Sequence, residues 1–197
     1  MNTRTLVVLQ NVWYRHPRKA QALLDKYGYD FYVRTLAASR SGRRLAEIFP
    51  PPWNPYLLRF INTTPRLGSR PSSRLSGCAD YVRNHIRDFG PRVIVACGDQ
   101  AKTTVFASGW QNAQSLLLLP HPAYRLLTNQ LLREARDLAC WLTQLAGVKH
   151  IRLRQRPDGV EITELVECPT DPLGHSDIVT FKPRDDVPHY EVEALLR

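Results

Sequence analysis

Four polar residues of this 197-residue chain follow short apolar runs and could do chemistry together: Gln10 and Asn11 after residues 6–9, Asn62 after residues 56–61, and His121 after residues 116–119. Neutral amides and one imidazole supply hydrogen-bond donors and acceptors, but no nucleophile and no strong base. Acyl transfer would require a serine elbow with a neighbouring base, and phosphoryl transfer a Gly-rich Lys-Ser/Thr loop or clustered carboxylates; neither pattern is present. Cys78, Cys97, Cys140 and Cys168 are widely spaced without a CxxC pair, so they read as reduced thiols rather than ligands of zinc or an iron–sulfur cluster. No metal and no other cofactor are expected.

Bringing such residues together requires several strands that end at one rim. Residues 6–9 and 93–97 are continuous apolar runs of the kind that buried parallel strands show, and 56–61 and 116–119 are similar. Helical patterns over 18–26, 41–49, 78–89, 100–107 and 126–145 alternate with them, Ser41 standing as a cap and Pro50, Pro51 and Pro52 as a stop. Residues 29–36, rich in aromatic and β-branched side chains, read as a further strand. The alternation predicts a three-layer α/β/α fold around a central, mostly parallel four-stranded sheet, with the ligand site beyond the carboxyl ends of its strands. Past Gly147 the pattern changes to short β-like segments at 151–154, 160–166 and 178–181. This divides the chain into a catalytic domain over 1–147 and a small β-rich extension over 148–197.

Charge narrows the partners. The formal net charge is +9, and residues 148–197 hold seven Lys/Arg against ten Asp/Glu, so the positive excess belongs to the first three-quarters of the chain. Such a surface attracts a polyanion, and the acidic extension suits packing on the body or on a partner better than gripping phosphate. With no apolar stretch long enough to span a bilayer, no membrane association is expected, and the chain reads as a soluble cytoplasmic monomer.

In order along the chain, Leu9-Gln10-Asn11-Val12-Trp13, then Phe60-Ile61-Asn62-Thr63-Thr64-Pro65 with the Arg70-Pro71 loop, then Pro91 to Gly98, then His121-Pro122-Ala123 resemble the motifs of the uracil-DNA glycosylase superfamily. The start of the 41–49 helix, Ser41-Gly42-Arg43-Arg44-Leu45, is also similar to members of that family. The resemblance covers about residues 5 to 145. It implies a DNA glycosylase that flips a pyrimidine out of the duplex and hydrolyses its glycosidic bond. It further implies that Asn11 and His121 are catalytic, Asn11 orienting a water toward the sugar carbon and His121 donating to the pyrimidine O2 as charge develops there. Gln10 and Asn62 would bind the base, with Trp13 beside its C5 position. Tyr124, Arg125 and Leu126 match the loop that wedges the minor groove, and Arg43, Arg66 and Arg70 would meet phosphates.

Each residue also has a plainer reading. The two asparagines could be turn residues that satisfy local backbone, His121-Pro122 an ordinary loop, and the arginines solvated surface charge. Val12 stands where the family has Pro, Trp13 where it has Tyr or Gly, and Ala123 where it has Ser; one of Trp13, Tyr14, Tyr32, Trp53 and Tyr56 is expected to stack on the base, the others being core or lid aromatics, and the sequence does not single it out. These departures favour a modified or damaged pyrimidine, in one version a bulky C5-modified base of phage DNA excised in antiviral defence. The alternatives are uracil excision in repair, or a catalytically silent DNA-binding or protein-interaction member of the fold. No catalytic Lys accompanies the set, so a monofunctional enzyme that leaves an abasic site is expected.

Overall fold

The structure, a computed structural model, describes residues 3–69, 75–110 and 115–165. Buried strands are continuous apolar runs, and three of them lie within a residue of where the sequence puts them: β1 (Thr5–Leu9), β3 (Val93–Cys97) and β4 (Ser115–Leu119), while β2 is Leu58–Asn62. The helices are α1 (Pro17–Ala38), α2 (Arg40–Ile48), α3 (Ala79–Phe89), α4 (Asp99–Ala107) and α5 (Asn129–Gln144). Two further strands follow, β5 (His150–Arg156) and β6 (Gly159–Glu164).

The six strands form one sheet in the order β2-β1-β3-β4-β5-β6, parallel throughout except for the β5–β6 hairpin. Successive residues of each strand face opposite layers. Val7, Leu9, Phe60, Val95 and Leu117 pack under α1, α2 and α5, whereas Leu6, Val8, Ile94, Ala96 and Leu116 pack under α3 and α4. The three-layer α/β/α fold is therefore present, with a mixed sheet of six strands rather than four. The first two segments expected in an appendage continue the main sheet, β5 pairing with β4 through Leu116–His150, Leu117–Ile151 and Leu118–Arg152. The third, 178–181, lies outside the described residues.

One predicted strand is a helix. Residues 29–36 belong to α1, which bends at Gly28, where φ is +56° and ψ −137°. Tyr29, Tyr32, Val33 and Leu36 are apolar at helical spacing as well as β-prone, and the helix turns all four toward the core while Asp30 and Arg34 stay exposed. The cap of α2 is Ser39, not Ser41: its Oγ accepts from the Gly42 amide at 3.0 Å and donates to the Leu36 carbonyl at 2.6 Å, closing α1 and opening α2 with one side chain.

The topology decides where a ligand can sit. From β1 the chain moves outward to β2, then returns across β1 to β3, so the connections diverge at the carboxyl ends of β1 and β3. A crevice opens at such a switch point. Gln10 and Asn11 leave β1 there, Gly98 leaves β3, Asn62 ends β2, and His121 follows β4.

Candidate active site

Two loops are stitched together above the sheet. Thr63 donates its amide to the Leu9 carbonyl at 2.9 Å, the Tyr14 amide donates to Gly68 at 2.9 Å, and Gly68 donates back to Val12 at 2.9 Å. The segment carrying Asn11 is thereby held against the one carrying Asn62.

Asn11 is held by a network whose donors and acceptors can be assigned throughout. Its Nδ2 donates to Gln100 Oε1 at 3.3 Å; Gln100 Nε2 donates to Thr63 Oγ1 at 3.1 Å and to the Leu75 carbonyl. The single Thr63 hydroxyl proton goes to the Gln10 carbonyl at 2.5 Å, so its 3.5 Å approach to Asn11 Oδ1 supplies no second donation. The amide nitrogen of Asn11 is thus turned to Gln100, and its oxygen keeps acceptor capacity for a water. Gln100→Leu should free this amide to rotate. Single-turnover base release is expected to fall about tenfold, the weight of one hydrogen bond, at unchanged duplex affinity; a fall in affinity alone would show that Gln100 does not position Asn11.

Asn62 is 8% exposed. Its Oδ1 accepts from the Tyr32 hydroxyl at 3.3 Å, and burial pushes that phenol well above its usual range, so it remains a donor. The contact favours one of the two amide orientations, which present mirror-image donor and acceptor patterns to a base.

His121 lies just past β4, against the turn at Gly98. The backbone at residue 98 has φ +92°, which favours glycine, and a Cβ there would stand a tight 3.2 Å from His121 Cβ. The Ala123 amide donates to His121 Nδ1 at 3.1 Å. An accepting Nδ1 places the proton of the neutral ring on Nε2, and desolvation lowers the imidazole from its ordinary value, favouring that neutral form. His121 is therefore built to donate from Nε2. Arg44 of α2 braces the loop by donating to the carbonyls of Pro122, at 2.9 Å, and Tyr124.

Asn11, Asn62 and His121 line one cavity of about 130 Å³, closed by Trp13, Tyr14 and Tyr32 among others. That is well below the roughly 300 Å³ at which sites for drug-sized ligands begin, and suits a single ring. A second cavity of about 400 Å³ adjoins it through Val12, Tyr32 and Asn62. Gln10 lies outside the small cavity and lines a third, of about 460 Å³, on the other side of His121. Trp13 is half exposed at the mouth of the small cavity. Tyr124 and Leu126 are exposed apolar side chains flanking exposed Arg125 on the loop after His121, which Leu127 anchors in the core. Arg66 is exposed, Arg43 donates to the Ala38 carbonyl at 3.0 Å, and Arg70 lies outside the described residues.

The sequence gives Gln100 and Thr63 no site role, and Tyr32 only a place among five candidate stacking aromatics, not a bond to Asn62. Their contacts join residues 25 to 89 positions apart, which no local pattern reports; only the polar Thr63 and Gln100 beside strand ends offer a signal. Cys97 is buried next to the site, and burial pushes its thiol up to about 12, which leaves it without thiolate character. Among the described residues no cluster of His, Cys, Asp or Glu could hold a metal, and no helix is long and apolar enough to cross a membrane.

A family model described as the uracil DNA glycosylase superfamily matches residues 14–145, more than half of the chain. The match begins after Asn11 and includes Asn62 and His121. No curated protein matches. Among solved structures, a KaiC-like protein from the hyperthermophilic archaeon Pyrococcus horikoshii OT3 is similar at 10% identity, over 83% of this chain and 78% of that one, with a TM-score of 0.17; a likeness that slight carries no weight for fold or activity.

Proposed function

The chain belongs to the uracil DNA glycosylase superfamily, and from that premise we propose that it is a monofunctional glycosylase excising a modified or damaged pyrimidine from DNA. Membership supports DNA glycosylase activity in general, with DNA as the substrate. The observation that carries the finer reading is the convergence of Asn11, Asn62 and His121 on one ring-sized cavity.

In this mechanism the extruded base enters the small cavity and its glycosidic bond lengthens, the electron pair passing to the base while the sugar approaches an oxocarbenium ion. His121 Nε2–H donates to O2, where negative charge collects. Asn11 Oδ1 accepts from a water and aims its oxygen at C1′. The C1′–N1 bond breaks, a C1′–O bond forms, the water proton passes to solvent, and the departing base is protonated in turn. The products are free base and an abasic site.

Support for a substituted base comes from the cavity that adjoins the base pocket through Val12, Tyr32 and Asn62, which offers space for a group larger than hydrogen. An antiviral role against phage DNA carrying bulky C5-modified pyrimidines would use that space. The test is base release from DNAs carrying uracil, cytosine and C5-substituted pyrimidines, followed by mass spectrometry of the freed base. Release of the substituted base is the expected result; efficient release of uracil alone would replace this reading with repair, and no release from any substrate would leave a silent DNA-binding member of the fold.

Tyr32→Phe separates recognition from catalysis, because the ring stays and only the donor to Asn62 is lost. Discrimination between 4-oxo and 4-amino pyrimidines, taken as a ratio of kcat/KM values, should shrink about five- to tenfold. An unchanged ratio would mean that Tyr32 does not set the amide.

A further inference from the structure

The cavity of about 460 Å³ lies on the far side of His121 from the base pocket and is lined by Lys102 of α4 and by Arg152 and Arg154 of β5, with Asp99 as its acidic neighbour. None of these three cations makes a side-chain hydrogen bond or ion pair among the described residues. Arg152 is only 5% exposed, and its Nε is buried without a partner. Glu161, close enough to favour the charged form of Arg152, is already bonded to Arg156 at 2.7 Å.

Burying an unpaired guanidinium beside a second one costs free energy that packing alone does not return. The strain is visible in its neighbour: burial and the Arg152 charge together push the Lys102 ammonium down from its ordinary range. The same cavity receives the start of α4, nine residues long, whose cap residue Gly98 offers no side chain to its free amides. An anion held here would meet two guanidinium groups, an ammonium and a helix N-terminus at once.

We propose that β5 and α4 build a binding site for a DNA backbone phosphodiester, holding the strand on the side of His121 opposite the extruded base. The volume suits a stretch of sugar-phosphate backbone better than a lone ion, and His121 lies in the wall of both cavities, so a strand seated here would run past the reacting sugar. The extension, acidic as a whole, contributes its arginines to the site because they are concentrated in β5: residues 148–165 hold four Lys/Arg against three Asp/Glu. The inference rests on DNA being the substrate, but not on which base is released.

The test is duplex affinity by fluorescence anisotropy over a salt series, using the full chain and the variants Lys102→Met, Arg154→Gln, Arg152→Met and Arg156→Gln. Each of the first three should bind about tenfold more weakly at low salt and lower the slope of log affinity against log salt by about one. Arg156→Gln, whose partner is Glu161, should match the parent. Arg152→Met should keep or raise the thermal midpoint, since it removes an unpaired buried charge; a lowered midpoint would show the guanidinium to be paired within the protein and count against the site. Parent slopes in Lys102→Met and Arg154→Gln would overturn the proposal. So would inorganic phosphate that stabilises the parent but not Arg154→Gln while the DNA slopes stay at parent values, because the site would then serve a free phosphate. Base release by the parent chain is measured separately: its absence with reduced slopes would sink the glycosylase reading and leave this site standing.

Discussion

Replacing His121 by alanine is expected to lower base release by about a hundred- to a thousandfold, the range seen when a preorganised donor to a developing anion is removed, while duplex affinity stays within about twofold. The reasoning rests on its tautomer. Because Nδ1 accepts from the Ala123 amide, Nε2 must carry the proton, and the ring needs no rearrangement as charge gathers on O2. Desolvation holds the imidazole below its ordinary value of 6.5, so the parent rate should be flat through neutral pH and fall in acid with a midpoint under that value. Protonation of Nδ1 would displace the Ala123 amide and disturb the loop. Stability carries the same sign. The unfolded chain binds this proton more tightly than the folded one, so His121 costs nothing above the unfolded value and destabilises progressively as pH falls through it toward the folded one. Single-turnover rates against pH, with anisotropy for binding, decide the matter; an alanine variant that retains its rate would remove His121 from the chemistry.

Asn11→Ala should cost about a hundredfold or more, since it removes the acceptor that orients the water and leaves the attack to chance encounter. Asn11→Asp is informative for a different reason. An aspartate would set a carboxylate oxygen against Gln100 Oε1 where Asn11 now donates. Relief requires the Gln100 amide to flip, which gives up its bonds to Thr63 Oγ1 and the Leu75 carbonyl. The expected rate therefore lies between parent and alanine, about tenfold below the parent. A fully active aspartate variant would show that this network does not constrain the residue. Asn11→Ala should stay near the parent thermal midpoint, since Asn11 is only partly buried, whereas Asn11→Asp should lower it slightly through the bonds Gln100 gives up.

Strand ends were readable from the chain because a strand covered on both faces is a continuous apolar run; Val93–Cys97 and Ser115–Leu119 announce themselves in this way. Asn11, Asn62 and His121 follow such runs, so their convergence followed once the sheet was parallel. The segment at 29–36 was misread because its side chains suit a strand while their spacing suits a helix, and only the packing of α1 against the sheet separates the two. That error hid the bond of Tyr32 to Asn62, which is made from a helix and not from a neighbouring strand. Gln100 shows in the sequence only as a polar residue past a strand end, because its value lies in a bond to a residue 89 positions away. The extension misled through averaging, since net charge over fifty residues conceals three arginines at alternate positions of one strand.

The β5–β6 hairpin bears also on how the chain behaves in a crowded solution. Without it, β4 would form the outer margin of the sheet: Ser115 followed by four leucines, with neither a charge nor a proline to discourage a visitor, and its peptide groups bare along one side. Such a margin recruits copies of itself. The hairpin covers it and, among the described residues, leaves β6 outermost, where Glu161 and Glu164 place charges on a short strand and make a poor template for a further one. A version of the chain shortened to its first 147 residues would thus keep every residue around the base cavity and still be lost to precipitation, a failure of colloidal behaviour that an activity assay would mistake for a failure of chemistry.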